Sequence, residues 1–188
     1  MNKDEIEYWN TFYSNFNVSE SSDFAKFIMK YFESYDIKTI LDAGCGNGRD
    51  SNYFSTKYKV TGIDNSIELE NKHNFEFSLS DFVNFDKKGF DIIYSRFTFH
   101  SIKDNEQEKF IKSIYPNSYL CIETRSILGQ NDFRYHGDNH FRNLTDINYL
   151  KEMLLSNNFS ILFIEERDNF AIYKDENPIC IRVICKKN

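Results

Sequence analysis

The sequence predicts an α/β fold: a mostly parallel, seven-stranded sheet with helices on both faces and an antiparallel hairpin at its C-terminal end. Short apolar runs alternate with helical segments, which is the pattern of βαβ units. A glycine-rich turn separates the first apolar run from the helical stretch after it. Two runs rich in β-formers, with a polar connection between them, close the chain.

At the N-terminus, Tyr8, Trp9, Phe12, Tyr13 and Phe16 form an aromatic cluster that ends at the polar break Ser19-Glu20-Ser21-Ser22. Asp23 then opens a helix through Phe24, Phe27, Ile28 and Tyr31, so residues 1–35 read as a helical, aromatic cap region. Lys38–Asp42 is the first strand, followed by a helical stretch from Arg49 to Lys57. Lys59–Asp64, Phe75–Leu79 and Phe90–Tyr94 are the second to fourth strands, and a helix near Asn105–Ile114 leads to the fifth, Ser118–Glu123. Ile147, Leu150, Met153 and Leu154 share one helical face, with Thr145 the expected N-cap and Asn157-Asn158 the expected stop. Phe159–Glu166 and Pro178–Lys186 are the runs expected to pair as the final hairpin. Residues 125–143 are too long for an ordinary loop in a compact domain, and a lid or substrate loop is expected there. No repeat, low-complexity linker or composition shift divides the chain, so residues 1–188 are expected to form one domain.

Composition narrows the function classes. Phe 19 and Tyr 12 against Pro 2 and Gly 7 is the profile of a packed globular chain, not a disordered one. A formal charge of -6 weighs against a partner whose affinity depends on phosphate neutralisation, such as nucleic acid. Cys45, Cys121, Cys180 and Cys185 lack metal-ligand spacing, so no metal is expected, and a reduced, mostly buried state is. Met1 leads directly into Lys3-Asp4-Glu5, without the signature of a secretory leader, and no apolar run approaches the ~20 residues of a membrane span. A cytoplasmic protein with no membrane partner is the expectation. Oligomeric state is not legible.

The chemistry-bearing stretch is Leu41-Asp42-Ala43-Gly44-Cys45-Gly46-Asn47-Gly48-Arg49-Asp50, between a strand and a helix. Glycines there let the backbone turn sharply and approach a ligand without a Cβ in the way. The spacing G-x-G-x-G, with an acid two residues before it, differs from the G-x-G-x-x-G of pyrophosphate-binding dinucleotide folds. A carboxylate there would repel a pyrophosphate but suits a ligand bearing an ammonium and a sulfonium. The second strand ends in Asp64, roughly twenty residues on, where an acid can accept both hydroxyls of a ribose. After the third strand, Asp81 can accept from an adenine amino group, with Phe82 beside it; a helix-capping role is the alternative for Asp81. A Gly-rich turn without a ligand is the alternative for the loop.

These motifs resemble those of the class I S-adenosylmethionine-dependent methyltransferases, over about residues 36 to 125. Arg49-Asp50-Ser51 is similar to the small tellurite-resistance-like members. The end pattern Tyr173-Lys174-Asp175-Glu176-Asn177-Pro178 is similar to members from surface-glycan pathways, which implies a role such as capsule biosynthesis. The resemblance implies a Rossmann-like fold with S-adenosyl-L-methionine as cofactor and S-adenosyl-L-homocysteine as product. It places Asp42, Gly44, Cys45 and Gly46 at the methionine part, Arg49 at its carboxylate, Asp64 and Asn65 at the ribose, and Asp81 with Phe82 at the adenine.

In such enzymes the acceptor approaches from the ends of strands four and five. Members that methylate base or amide nitrogens carry an Asn/Asp-Pro-Pro-aromatic motif there, and Tyr94-Ser95-Arg96-Phe97-Thr98-Phe99-His100 has no proline. Arg96 and His100 are the candidate catalytic residues, with a helix-start or solvent-facing histidine the alternative for His100. Histidine is the commonest general base, and a guanidinium among apolar neighbours needs a partner such as Asp64 or Glu123. Arg96, His100, Arg125, Arg142 and Tyr173 are the candidate acceptor-binding residues, with Arg134, His136 and His140 in the long segment and Lys174 beside Tyr173. So many cations in an acidic chain suggest a small anionic acceptor, a phosphate, carboxylate or nucleotide-linked sugar, methylated on oxygen. A metalloid or thiol acceptor, or a non-catalytic cofactor-binding module acting through a partner protein, is the alternative. Solvent-facing arginines would favour the soft acceptor.

Overall fold

A computed structural model of the chain describes residues 19–65, 74–129, 135–136 and 140–188, with isolated helical positions 7, 10 and 11. The aromatic cluster expected at Tyr8, Trp9, Phe12, Tyr13 and Phe16 lies outside the described residues. So do Arg134, Gly137 and Asp138 of the expected lid, and the side chains of His136 and His140.

Helix α1 (Asp23–Tyr31) is capped by Ser22, whose hydroxyl accepts the N–H of Ala25. Strand β1 (Thr39–Ala43), helix α2 (Arg49–Phe54), strand β2 (Lys59–Asp64) and strand β3 (Glu76–Leu79) follow. Strand β4 (Ile92–Arg96) runs two residues beyond the expected end, because Arg96 keeps its register opposite Glu123. A 3-10 turn (Phe99–Ser101) and helix α3 (Asp104–Lys112) lead to strand β5 (Tyr119–Arg125). The long segment holds a small antiparallel pair, β6 (Tyr135–His136) and β7 (His140–Phe141), separate from the main sheet.

Helix α4 (Ile147–Ser156) starts one residue later than expected. Asp146, not Thr145, is its N-cap, accepting the N–H groups of Asn148 and Tyr149. Thr145 is instead held in an extended bridge with Ser126, its N–H donating to Arg125 O at 3.0 Å. The expected stop is real: Asn157 is the C-cap, and Asn158 takes a left-handed φ of 61°. Strands β8 (Phe159–Arg167) and β9 (Cys180–Lys187) then pair antiparallel.

The sheet order is β3-β2-β1-β4-β5-β9-β8. Its first five strands are mutually parallel, and β9 joins β5 antiparallel. Sequence neighbours go to opposite faces, as a two-residue period requires. Leu41, Ile93, Leu120 and Val183 pack with Phe110, Leu150 and Leu154 on one side. Ile40, Ile92, Tyr94, Cys121 and Ile184 pack with Phe24, Ile28, Phe32 and Phe54 on the other. All four cysteines are buried and none is in a disulfide bond.

Candidate active site

The chain leaves β1 for β2 on one side and returns to β4 on the other, so the strand order reverses at β1. In open α/β sheets the crevice beyond the carboxyl ends of such strands is where ligands bind. The glycine loop after β1 occupies one wall and residues 97–100 after β4 the other.

Gly44, Gly46 and Gly48 all have left-handed φ angles, of 83°, 55° and 74°. The N–H groups of Gly44 and Cys45 both donate to Ile63 O, and Gly46 N–H donates to Asp64 Oδ2 at 3.0 Å. The loop is thereby folded over the end of β2 with the Asp64 carboxylate beside it. A Cβ at Gly44 would lie 2.0 Å from Thr98 Cγ2, so the absence of a side chain is what lets the two walls meet. Thr98 is fixed there by donating to Ala43 O at 2.9 Å. Asn65 is half-buried next to Asp64, and Cys45 is buried, its thiol pushed up by burial and by Asp42.

Beneath the loop lies a polar network. Asp42 is 2% exposed and accepts the Ser51 hydroxyl at 2.6 Å. Burial first, then the neighbouring Asp50, pushes its carboxyl pKa up to about 8. Asp50 accepts the Ser22 N–H and hydroxyl, each at 2.7 Å, and the Tyr94 hydroxyl at 2.8 Å. Burial raises the Tyr94 phenol well above its ordinary range and keeps it a donor. Asp50 and Ser51 stand out in the sequence only as part of Arg49-Asp50-Ser51, and Ser22, Tyr94 and Thr98 do not stand out as site residues, because isolated polar groups carry no periodic signal of their own. Arg49 lies along Asp50, Nε to Oδ1 3.9 Å, and reaches Glu20 O.

At Asp81 no helix begins; Oδ1 accepts Val83 N–H at 2.9 Å and Oδ2 accepts the Asn84 amide, which closes a turn after β3. Phe82 turns into the core, edge-on to Phe110 at 5.6 Å.

The acceptor wall is aromatic and cationic. Glu123, fully buried, accepts Arg96 Nε on one oxygen at 2.8 Å and Arg182 Nε on the other at 2.6 Å. Of the two partners expected for Arg96, Glu123 is the one in contact. Phe97 has φ 59°, an unusual conformation for a bulky side chain and one that clusters at functional sites. Its ring lies 4.5 Å from the Arg96 guanidinium, 5.6 Å from that of Arg125 and 5.4 Å from His100. Arg125 is buried and its Nη2 donates to Glu176 at 2.5 Å.

His100 is 3% exposed. Its Nδ1 accepts the Arg125 backbone N–H at 3.2 Å with Thr124 Oγ1 at 3.3 Å, which puts the proton of the neutral ring on Nε2. Arg142 is buried, and Tyr173 is exposed in the turn that carries Glu176. Arg96, His100 and Arg125 are thus brought together around Phe97, and Tyr173 is linked to this cluster through its bridge to Glu176, which accepts from Arg125. Phe97 and Arg182 were missed from sequence.

A side-chain-free loop at positions 44 and 46, facing a carboxylate at the end of the next strand, fits a nucleoside whose sugar binds the acid and whose tail runs along the loop. Among the described residues no group of three His, Cys, Asp or Glu side chains is placed to hold a metal ion. No helix among them is long and apolar enough to cross a membrane.

Comparison with known proteins bears on the same crevice. A family model described as a methyltransferase domain matches residues 19–162. A malonyl-[acyl-carrier protein] O-methyltransferase from Calditerrivibrio nitroreducens is 33% identical over 92 residues, 45% of this chain and 37% of that protein. The match therefore spans well under half of that relative. Among solved structures, 1,6-didemethyltoxoflavin-N1-methyltransferase from Burkholderia thailandensis, with 1,6-didemethyltoxoflavin and S-adenosylhomocysteine bound, superposes with TM-score 0.69 at 17% identity, covering 88% of this chain and 77% of that one. TehB from Haemophilus influenzae gives 0.68 at 21% identity, covering 87% and 62%. An S-adenosylmethionine-dependent methyltransferase from Anabaena variabilis gives 0.70 at 15% identity, covering 100% and 96%. At these identities the solved structures speak to the fold. The family match over most of the chain, on a sheet of this order, shows that the protein belongs to the methyltransferase domain family, as a class I S-adenosylmethionine-dependent enzyme.

Proposed function

We propose that the enzyme methylates an oxygen of a small, polar, anionic metabolite carrying a phosphate, a carboxylate or a nucleotide-linked sugar, with surface-glycan precursors among the candidates. One observation carries this reading. Arg96, at the carboxyl end of β4, keeps 19% of its side chain exposed, with Nε fixed by Glu123 and no hydrogen bond on its Nη groups among the described residues. A guanidinium held by one edge and open along the other is pre-organised for an oxyanion. The relative from Calditerrivibrio is named an O-methyltransferase, which supports an oxygen acceptor.

The cofactor supplies an electrophilic methyl group. The residues of the chain bind and orient: Asp42, Gly44, Cys45, Gly46, Arg49, Asp64 and Asn65 hold the donor side, and Arg96 with Arg125 the acceptor side. Asp81, in the turn beyond β3, is the residue proposed for the adenine side, with Phe82 packed beneath it in the core. An acceptor oxygen that is already ionised needs alignment and exclusion of water more than it needs a base. His100 then serves by its fixed tautomer, holding the end of β5 against the 3-10 turn. Arg142 and Tyr173 are proposed to add acceptor contacts, the first from a buried position and the second from the exposed turn that carries Glu176.

A soft metalloid or thiol acceptor would be favoured by Arg96, Arg125 and Arg142 facing solvent; Arg125 and Arg142 are buried, and Arg96 is 19% exposed along its side chain. The test is transfer of labelled methyl to pairs of metabolites that differ only in an anionic group. Charged members should be methylated, and Arg96→Met should raise KM on them at least tenfold with a smaller change in kcat. Equal methylation of the neutral members would overturn the reading.

A further inference from the structure

We infer that Arg182, on the antiparallel strand β9 and away from the expected acceptor residues, is the positioning residue that leaves Arg96 free to bind the acceptor's anion. This inference rests on the anionic-acceptor reading above and names how the site keeps its charge.

Glu123 is fully buried between two arginines, one on each neighbouring strand, because the sheet register places Glu123 opposite both Arg96 on β4 and Arg182 on β9. Each arginine donates its Nε to a different carboxylate oxygen. With a single arginine the pair would be neutral and Glu123 could take two donors from Arg96 in the bidentate mode. With two, the triad carries one net positive charge, and each carboxylate oxygen is engaged by one Nε.

That charge has one accessible end. Arg182 is 8% exposed along its side chain, donates Nη2 to Phe170 O, and has the rings of Phe24, Phe27 and Phe170 at 4.2 to 5.8 Å from its guanidinium carbon. Arg96 is the more open end, 19% exposed along its side chain and backed by the Phe97 ring at 4.5 Å. Asp50 and Asp42 also act on Arg96 through space, but neither forms an ion pair with it, and the Asp50 oxygens are engaged by Ser22 and Tyr94. A buried Arg-Glu-Arg triad is costly to assemble for stability alone, and apolar side chains often replace one without loss. Its odd charge is accounted for by an anion arriving at Arg96.

The experiment titrates inorganic sulfate into the 188-residue protein saturated with S-adenosylhomocysteine, by calorimetry. Wild type should bind one sulfate saturably, and Arg96→Met should abolish it. Arg182→Met should weaken it about tenfold, the scale of removing one unit charge roughly 10 Å away at an effective dielectric of about 20. Affinity for S-adenosylhomocysteine should stay within about twofold in both. Arg182→Lys, which keeps the charge if packing suffers, should restore most of the sulfate affinity. Sulfate binding unchanged in Arg182→Met, or lost equally in Arg182→Lys and Arg182→Met with the fold intact by thermal melt, overturns the inference. Wild-type sulfate binding that survives Arg96→Met, or no binding at all, overturns the anionic-acceptor reading beneath it.

Discussion

At the scale of residues, the carboxyl of Asp42 is nearly sealed from water, and its pKa of about 8 follows from burial and from Asp50. The folded value lies above the unfolded one of about 3.9, so the native state holds this proton more tightly than the unfolded chain does. Its contribution to stability is therefore fully present below about pH 4 and declines as pH rises to about 8. Asp42→Asn, an isosteric neutral replacement, should grow more stable relative to wild type between pH 5 and pH 8 in urea titrations. A constant difference across that range would contradict the assignment. At Gly44, the positive φ and the 2.0 Å approach to Thr98 act together. Gly44→Ala should cost about 2–4 kcal/mol, the sum of left-handed strain and overpacking. Thr98→Ser in that background should recover the overpacking part in denaturant melts, and no recovery would rule out the clash. The glycines and Asp42 were legible because the ligand chemistry fixes residue type at fixed spacing. Thr98 and Ser51 were not, since their roles exist only once β4 and α2 are packed against the loop.

At the scale of elements, the N-terminus of α1 is joined to the first turn of α2 through Ser22 and Asp50. The same hydroxyl caps α1, so Ser22→Ala removes a cap and a charge-assisted hydrogen bond at once. A loss of about 2–3 kcal/mol is expected in chemical denaturation, against about 1 kcal/mol for a cap alone. The smaller value would mean that Asp50 does not depend on the serine. The helices and the strands of the main sheet were readable from apolar runs; their ends, and the small pair β6–β7 within the long segment, were not. Asp146 displaced Thr145 as the cap of α4 because Thr145 was drawn into a bridge with Ser126, a contact between segments distant in sequence. Arg96 reads as a post-strand residue but is the last of β4, since only pairing with β5 extends the strand that far. Arg182 left a trace in the sequence: it is the one charge in the apolar run Cys180–Cys185. Linking it to Glu123 required the register of β5 on β9.

At the scale of the whole molecule, the alternation of strands and helices gave a parallel sheet, and the two C-terminal runs gave its antiparallel edge. The order β3-β2-β1-β4-β5-β9-β8 was not readable from periodicity, because any buried strand looks alike along the chain. That order matters for function: it places the glycine loop, Asp64 and the Arg96 to His100 wall around one crevice. The most direct measurement of this account is calorimetric titration of S-adenosylhomocysteine into the wild-type chain and Asp64→Ala, with a thermal melt as the check on folding. Saturable one-to-one binding by wild type is predicted, weakened more than tenfold in Asp64→Ala, the scale of two lost hydrogen bonds to a carboxylate at about 1 kcal/mol or more each. Equal affinity in a folded Asp64→Ala variant, or no binding by wild type, would contradict the placement of the cofactor in this crevice.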